Sequence, residues 1–150
     1  MPMNRPDPRD LSALARGTPR QQRAHTAIQS LHLFHLLRDY SPALAGTIPL
    51  GIDLPTSDLD IICEAHDLAA FARCVRQAFG ARDNFRARRK IVRGVESFIA
   101  NFDYADFPFE IFAFETVKEI AAGTAAFAAG AGGAAADGRE VIKSEKLNVF

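Results

Sequence analysis

Two aspartates lead directly into a short apolar run, Asp58-Leu59-Asp60-Ile61-Ile62-Cys63. The run reads as a buried strand: it is short, rich in Ile, and preceded by Pro49 and Pro55, which keep the approach to it out of regular helix. In a strand, residues i and i+2 point to one face. Asp58 and Asp60 therefore project side by side. Two adjacent carboxylates repel each other and resist desolvation unless a cation such as Mg²⁺ compensates them. Acids at the mouth of a buried strand mark a site rather than a solvated surface. The competing reading is a turn-and-cap pair, since Thr56-Ser57-Asp58 is also ordinary turn chemistry.

The remaining elements can be placed around this strand. Residues 1–17 read as a flexible N-terminal arm. Thr18 is an N-cap, Pro19 occupies the first helical position and Gln21 completes a capping box. Ala24, Ala27, Ile28, Leu31, Phe34 and Leu37 then follow at helical spacing up to about Tyr40, where Ser41-Pro42 ends the helix. Residues 43–50 suggest a first short strand that runs into a loop at Gly46-Thr47. Asp67 caps a second helix carrying Leu68, Phe71, Val75 and Phe79, closed by Gly80. Two aromatic-rich strands, Val95–Tyr104 and Phe107–Phe114, are joined by a tight Ala105-Asp106 turn. This order predicts an α+β fold, a mixed sheet with helices packed on one face. The domain is expected over residues 18–116. Beyond it, residues 117–150 are dominated by Ala and Gly, without the periodic large apolar residues that anchor a helix.

Glu110 is the natural third acid. It lies within Phe107-Pro108-Phe109-Glu110-Ile111-Phe112, where a lone buried carboxylate would be very unfavourable. If its strand neighbours that of Asp58 and Asp60, the three acids converge on one metal site, where two ions could activate an attacking hydroxyl and stabilise a leaving pyrophosphate. The alternative for Glu110 is a strand residue paired with an arginine. Gly46 lets the backbone approach a phosphate closely, and the Thr47 hydroxyl can donate to a phosphate oxygen. Ser57 stands between a turn residue and one that orients the acids or phosphates.

Bulk properties narrow the function classes. Lys plus Arg and Asp plus Glu each number 18, so global charge favours no nucleic-acid partner and any such claim rests on local clusters. One cluster exists, Arg86, Arg88, Arg89 and Lys90; it reads first as a solvated loop, with triphosphate or nucleic-acid binding as the alternative. Cys63 and Cys74 form neither a disulfide framework nor a metal-ligand pair, which points to a reducing, cytoplasmic compartment. No signal peptide or membrane-spanning run is visible. His32 and His35 are three apart without a third ligand nearby and read as helix-surface or packing residues. The sequence holds no G-x-S-x-G elbow, Walker A loop or H-E-x-x-H, which removes the usual serine hydrolase, P-loop and zinc-protease readings.

Gly46-Thr47, ten further residues and then Asp58-Leu59-Asp60 resemble the Gly-Ser…Asp-x-Asp signature of the DNA polymerase beta-type nucleotidyltransferase superfamily. Glu110 matches the place of its third carboxylate. The wording GTIPLGIDLPTSDLDIICEAHD with FPFEIFAF further resembles an uncharacterised bacterial family of unknown function within that fold, over roughly Leu11 to Glu115. The resemblance implies Mg²⁺-dependent transfer of a nucleoside monophosphate from a nucleoside triphosphate to an acceptor hydroxyl on a small molecule, a protein or an RNA end. A homodimer or a partner chain would complete the cleft. Because the superfamily includes inactive members, a catalytically inactive binding or antitoxin-like module is the alternative, and a metal-dependent phosphohydrolase a third. The chain departs from the pattern at Thr47, where Ser is usual, and at Pro49 and Pro55, where a short helix usually begins. After Glu115 the resembling family would continue into a long polar helix. The Ala- and Gly-rich stretch found instead is what a truncated or frameshifted C-terminus would give.

Overall fold

The computed structural model describes residues 10–46, 48 and 57–116. Expectations for residues 1–9, Thr47, the prolines of the 46–58 spacer and residues 117–150 fall outside them. The elements are α1 (Ser12–Ala15), α2 (Pro19–Ser30), α3 (Leu33–Leu36), a 3₁₀ turn (Arg38–Tyr40), β1 (Ala43–Ala45), β2 (Leu59–Ala65), α4 (Leu68–Phe79), β3 (Asp83–Val92), β4 (Val95–Tyr104) and β5 (Phe107–Glu115). The strands form one five-stranded mixed sheet in the order β1-β2-β5-β4-β3. β2 and β5 run parallel at its centre, while β1 and the β4–β3 hairpin are antiparallel to their neighbours. This is the α+β architecture expected from the order of elements.

Local chemistry explains most boundaries. Thr18 Oγ1 accepts the Gln21 amide at 3.1 Å, and Gln21 Oε1 accepts the Thr18 amide at 2.9 Å, a complete capping box at the start of α2. Asp67 caps α4 by accepting from the Ala70 amide at 3.1 Å. Both two-residue turns of the β3–β4–β5 meander have two consecutive left-handed residues, Arg93-Gly94 and Ala105-Asp106. That is the turn geometry whose twist matches the flanking strands.

Three expectations need correcting. The helix read from Thr18 to about Tyr40 is broken: α2 ends at Ser30, and His32 adopts φ 52° before α3 begins. Leu31, Leu33 and Leu37 are nonetheless buried, so the break re-aims the chain without exposing its apolar residues. Within the expected flexible arm, residues 12–15 form α1, and Leu11 and Leu14 are buried in the core. The basic stretch is no loop. Residues 83–92 form β3, an edge strand paired with β4 from Arg86↔Asn101 to Val92↔Val95 after a bulge between Asp83 and Arg86.

Alternation along the strands divides the sheet into two faces. Leu59, Ile61, Cys63, Phe98, Ala100, Phe102, Phe109, Ile111 and Ala113 share one cluster with the buried residues of all four helices. Phe102 stacks between Phe79 and Phe109, with ring centroids 5.2 and 5.0 Å away. Tyr40, Phe71 and Phe98 meet edge-on beside them. Each fully buried aromatic ring contributes roughly 2–3 kcal/mol through removal of apolar surface from water. The described helices thus pack on one face. On the other face Ile62, Ile99, Phe112 and Phe114 form a second buried cluster, and the acids lie at its border.

Candidate active site

Strand register places the acids. Asp60 on β2 stands directly opposite Glu110 on the parallel neighbour β5. Asp58 lies two residues before Asp60, just ahead of β2, and so shares its face. All three side chains are half-buried, and each offers one carboxylate oxygen within 4.8 Å of the other two. Sequence reasoning therefore located the cluster that the topology assembles. Among the described residues this is the one group of three or more His, Cys, Asp or Glu side chains close enough together to hold a metal ion, and no histidine joins it. His32 and His35 are exposed, and the His35 ring meets Arg38 at 3.3 Å.

Gly46 belongs to the same locality for a reason the sequence did not show. It directly follows β1, whose Ala45 pairs with Asp60. Its φ is +87°, a backbone conformation that side chains rarely adopt. A Cβ added there would lie 2.7 Å from Asp60 Oδ2, so the carboxylate occupies the space that any larger residue would need. Whatever the glycine backbone offers a phosphate, it first makes room for Asp60, whose Oδ1 is itself buried.

Sequence reasoning missed two residues at the start of α2. Gln21 was legible only as a cap, yet its Nε2 also donates to the Ile48 carbonyl at 3.0 Å. One side chain therefore fixes the helix start and the backbone just beyond Gly46. Arg20 reaches the other end of the spacer. Its guanidinium donates to the Ser57 carbonyl at 3.5 Å and lies over the Phe107 ring, 4.9 Å from the centroid. Ser57 is half-buried immediately before Asp58, with its carbonyl engaged in this way. No local signal could have revealed either contact, because 27 and 37 residues separate the partners.

The chemistry of the set follows from its oxygens. Hard cations such as Mg²⁺ prefer carboxylate ligands, whereas zinc sites draw on Cys and His. The cysteines lie elsewhere. Cys63 points to the helical face, and burial pushes its thiol pKa above the ordinary value, which disfavours the thiolate that would bind a metal.

Residues 26–129 match a domain of unknown function, DUF4269. The matched region thus starts later than Leu11 and continues past Glu115 into the Ala- and Gly-rich stretch. No curated protein matches the chain. Among solved structures, the Cid1 poly(U) polymerase, crystallised with MgGTP bound, aligns with a TM-score of 0.43 at 17% identity. The alignment covers 61% of this chain and 31% of that one. Among the described residues, no helix is long and apolar enough to cross a membrane.

Proposed function

The chain belongs to the DUF4269 family, and we propose that it is a metal-dependent nucleotidyltransferase. The observation that carries the proposal is the carboxylate cluster: Asp58, Asp60 and Glu110, from two adjacent parallel strands, with ligand atoms within 4.8 Å of one another. Three such acids are costly to hold together without a cation, and their oxygens suit Mg²⁺.

Asp58, Asp60 and Glu110 would hold the metal, with two Mg²⁺ ions the expected number for this chemistry. When bound, the ions would lower the pKa of an attacking hydroxyl and offset the charge that develops on a leaving pyrophosphate. In the transfer, the acceptor oxygen bonds to the α-phosphorus of a nucleoside triphosphate, the bond from that phosphorus to the bridging oxygen breaks, and pyrophosphate departs. Glu110 would serve as third ligand or as the base that takes the hydroxyl proton. Gly46, Thr47 and Ser57 would cradle the triphosphate. Arg20 and Gln21 act on this arrangement as positioning residues, since they fix the backbone on either side of the spacer.

Incubating the protein with Mg²⁺ and each of ATP, GTP, CTP and UTP labelled at the α-phosphate tests the reading. Pyrophosphate release together with label transfer to an acceptor is expected, with loss of both in Asp58→Asn/Asp60→Asn. Release of inorganic phosphate without transfer would replace the proposal with a phosphohydrolase.

A further inference from the structure

From the placement of β3 we infer that its outer face binds the phosphodiester backbone of a single-stranded nucleic acid whose end reaches the carboxylates. Pairing across the sheet sets Asp60, Glu110, Asn101 and Arg86 in one row on one face. Arg88 and Lys90 follow on the same face of β3, opposite Ile99 and Ser97. All three cations are exposed. Arg86 donates to the Asn84 carbonyl of its own strand at 3.3 Å. Among the described residues, no carboxylate forms an ion pair with Arg86, Arg88 or Lys90. On this face the acids nearest the edge, Asp83 and Asp103, lie at the open end of the hairpin, and Asp103 accepts from Asn84 Nδ2 at 2.7 Å.

Distances separate a chain anion from a lone nucleotide. Two strand spacings, about 9.5 Å, lie between the backbone of Glu110 and that of Arg86. From Arg86 to Lys90 the strand advances a further ~13 Å. A triphosphate seated on the three acids leaves Arg88 and Lys90 unused, whereas a chain of phosphates spans the row. Charge on an edge strand also discourages pairing with other chains. That role is indifferent to which face carries the cations. Here Arg89, on the helical face, approaches Glu96 at 3.9 Å, while the three on the carboxylate side form no ion pair among the described residues. The inference rests on the proposed active site only for what happens at the end of the chain; the binding itself does not need the metal.

Fluorescence anisotropy with labelled twelve-nucleotide oligo-uridine and oligo-thymidine, in EDTA and across a salt series, tests the inference. Wild type is expected to bind at low salt. Arg86→Gln/Arg88→Gln/Lys90→Gln should weaken binding at least tenfold and flatten the dependence of log K on log salt by about 2, the value for three phosphate contacts on a single strand. Arg89→Gln should keep most of the affinity. Asp58→Asn/Asp60→Asn should bind at least as tightly as wild type, because without metal the lost carboxylates only repel the oligonucleotide, so failure of the active-site reading would leave this result intact. Circular dichroism and Tm establish that the triple variant is folded. Equal affinity and slope in the triple variant, no binding by wild type at low salt, or capture by anionic phospholipid vesicles with none by the oligonucleotides would each overturn the inference.

Discussion

Replacing Gly46 with alanine separates two costs that the structure holds in one residue. The first is conformational: an alanine at φ +87° sits in left-handed backbone at a cost of ~1–2 kcal/mol. The second is steric: its Cβ would stand 2.7 Å from Asp60 Oδ2, against ordinary contact from 3.4 Å. The carboxylate must retreat by the difference, about 0.7 Å. Twisting the Asp60 side chain off its rotamer adds ~0.5–1.5 kcal/mol. Gly94 supplies the control, with φ +77° and nothing within 4 Å of an added Cβ. Gly94→Ala therefore measures the conformational cost alone, ~1–2 kcal/mol, and Gly46→Ala should cost ~1.5–3.5 kcal/mol. Each kcal/mol lowers Tm by roughly 2–4 °C in a chain of this size. The functional consequence is larger. Mg²⁺ demands near-ideal geometry at ligand distances of about 2.0–2.1 Å, so a displaced Asp60 should weaken metal binding more than tenfold in Gly46→Ala and leave it unchanged in Gly94→Ala. Urea denaturation and metal-titration calorimetry on both variants read the two effects. Equal destabilisation of the pair, with metal affinity retained in Gly46→Ala, would refute the reasoning.

Gln21→Ala should lose about 1 kcal/mol through the cap, as Thr18→Ala does, but of the two it alone should also weaken nucleotide binding, because Gln21 and not Thr18 donates to the Ile48 carbonyl; denaturation and nucleotide titration of both variants check this. Asp106→Gly should raise stability by ~0.5–1 kcal/mol, since Asp106 sits at φ 66° in a tight hairpin turn; a lower urea midpoint would contradict that. In native protein at pH 8, Cys63 should resist alkylation until the chain unfolds, because burial raises its thiol pKa and keeps the reactive thiolate scarce. Mass spectrometry after iodoacetamide treatment, with and without urea, reports which cysteine is modified.

Legibility in the sequence followed the range of the interaction. β2, β5 and the Ala105-Asp106 turn could be read because apolar runs and turn geometry are local signals. The Asp58, Asp60 and Glu110 cluster could be read because alternation fixes a face and a buried lone acid is costly. β3 was misread because Arg86, Arg88, Arg89 and Lys90 leave it without apolar alternation; its partner β4 makes it a strand. The break at His32 carries neither Gly nor Pro, and the apolar spacing continues through it. Arg20 and Gln21 act across the fold, beyond any local pattern. Gly46 was singled out for close approach to a phosphate, and the group it visibly accommodates is the Asp60 carboxylate.

The central claim is that Asp58, Asp60 and Glu110 hold the metal through which a nucleotide binds. Calorimetric titration of nucleoside triphosphates into wild type and Asp58→Asn/Asp60→Asn, each with Mg²⁺ and with EDTA, tests it most directly. Mg²⁺-dependent binding by wild type, lost in the double variant while its fold is retained, is the expected result. Equal binding by the two proteins, or binding indifferent to Mg²⁺, would contradict the claim.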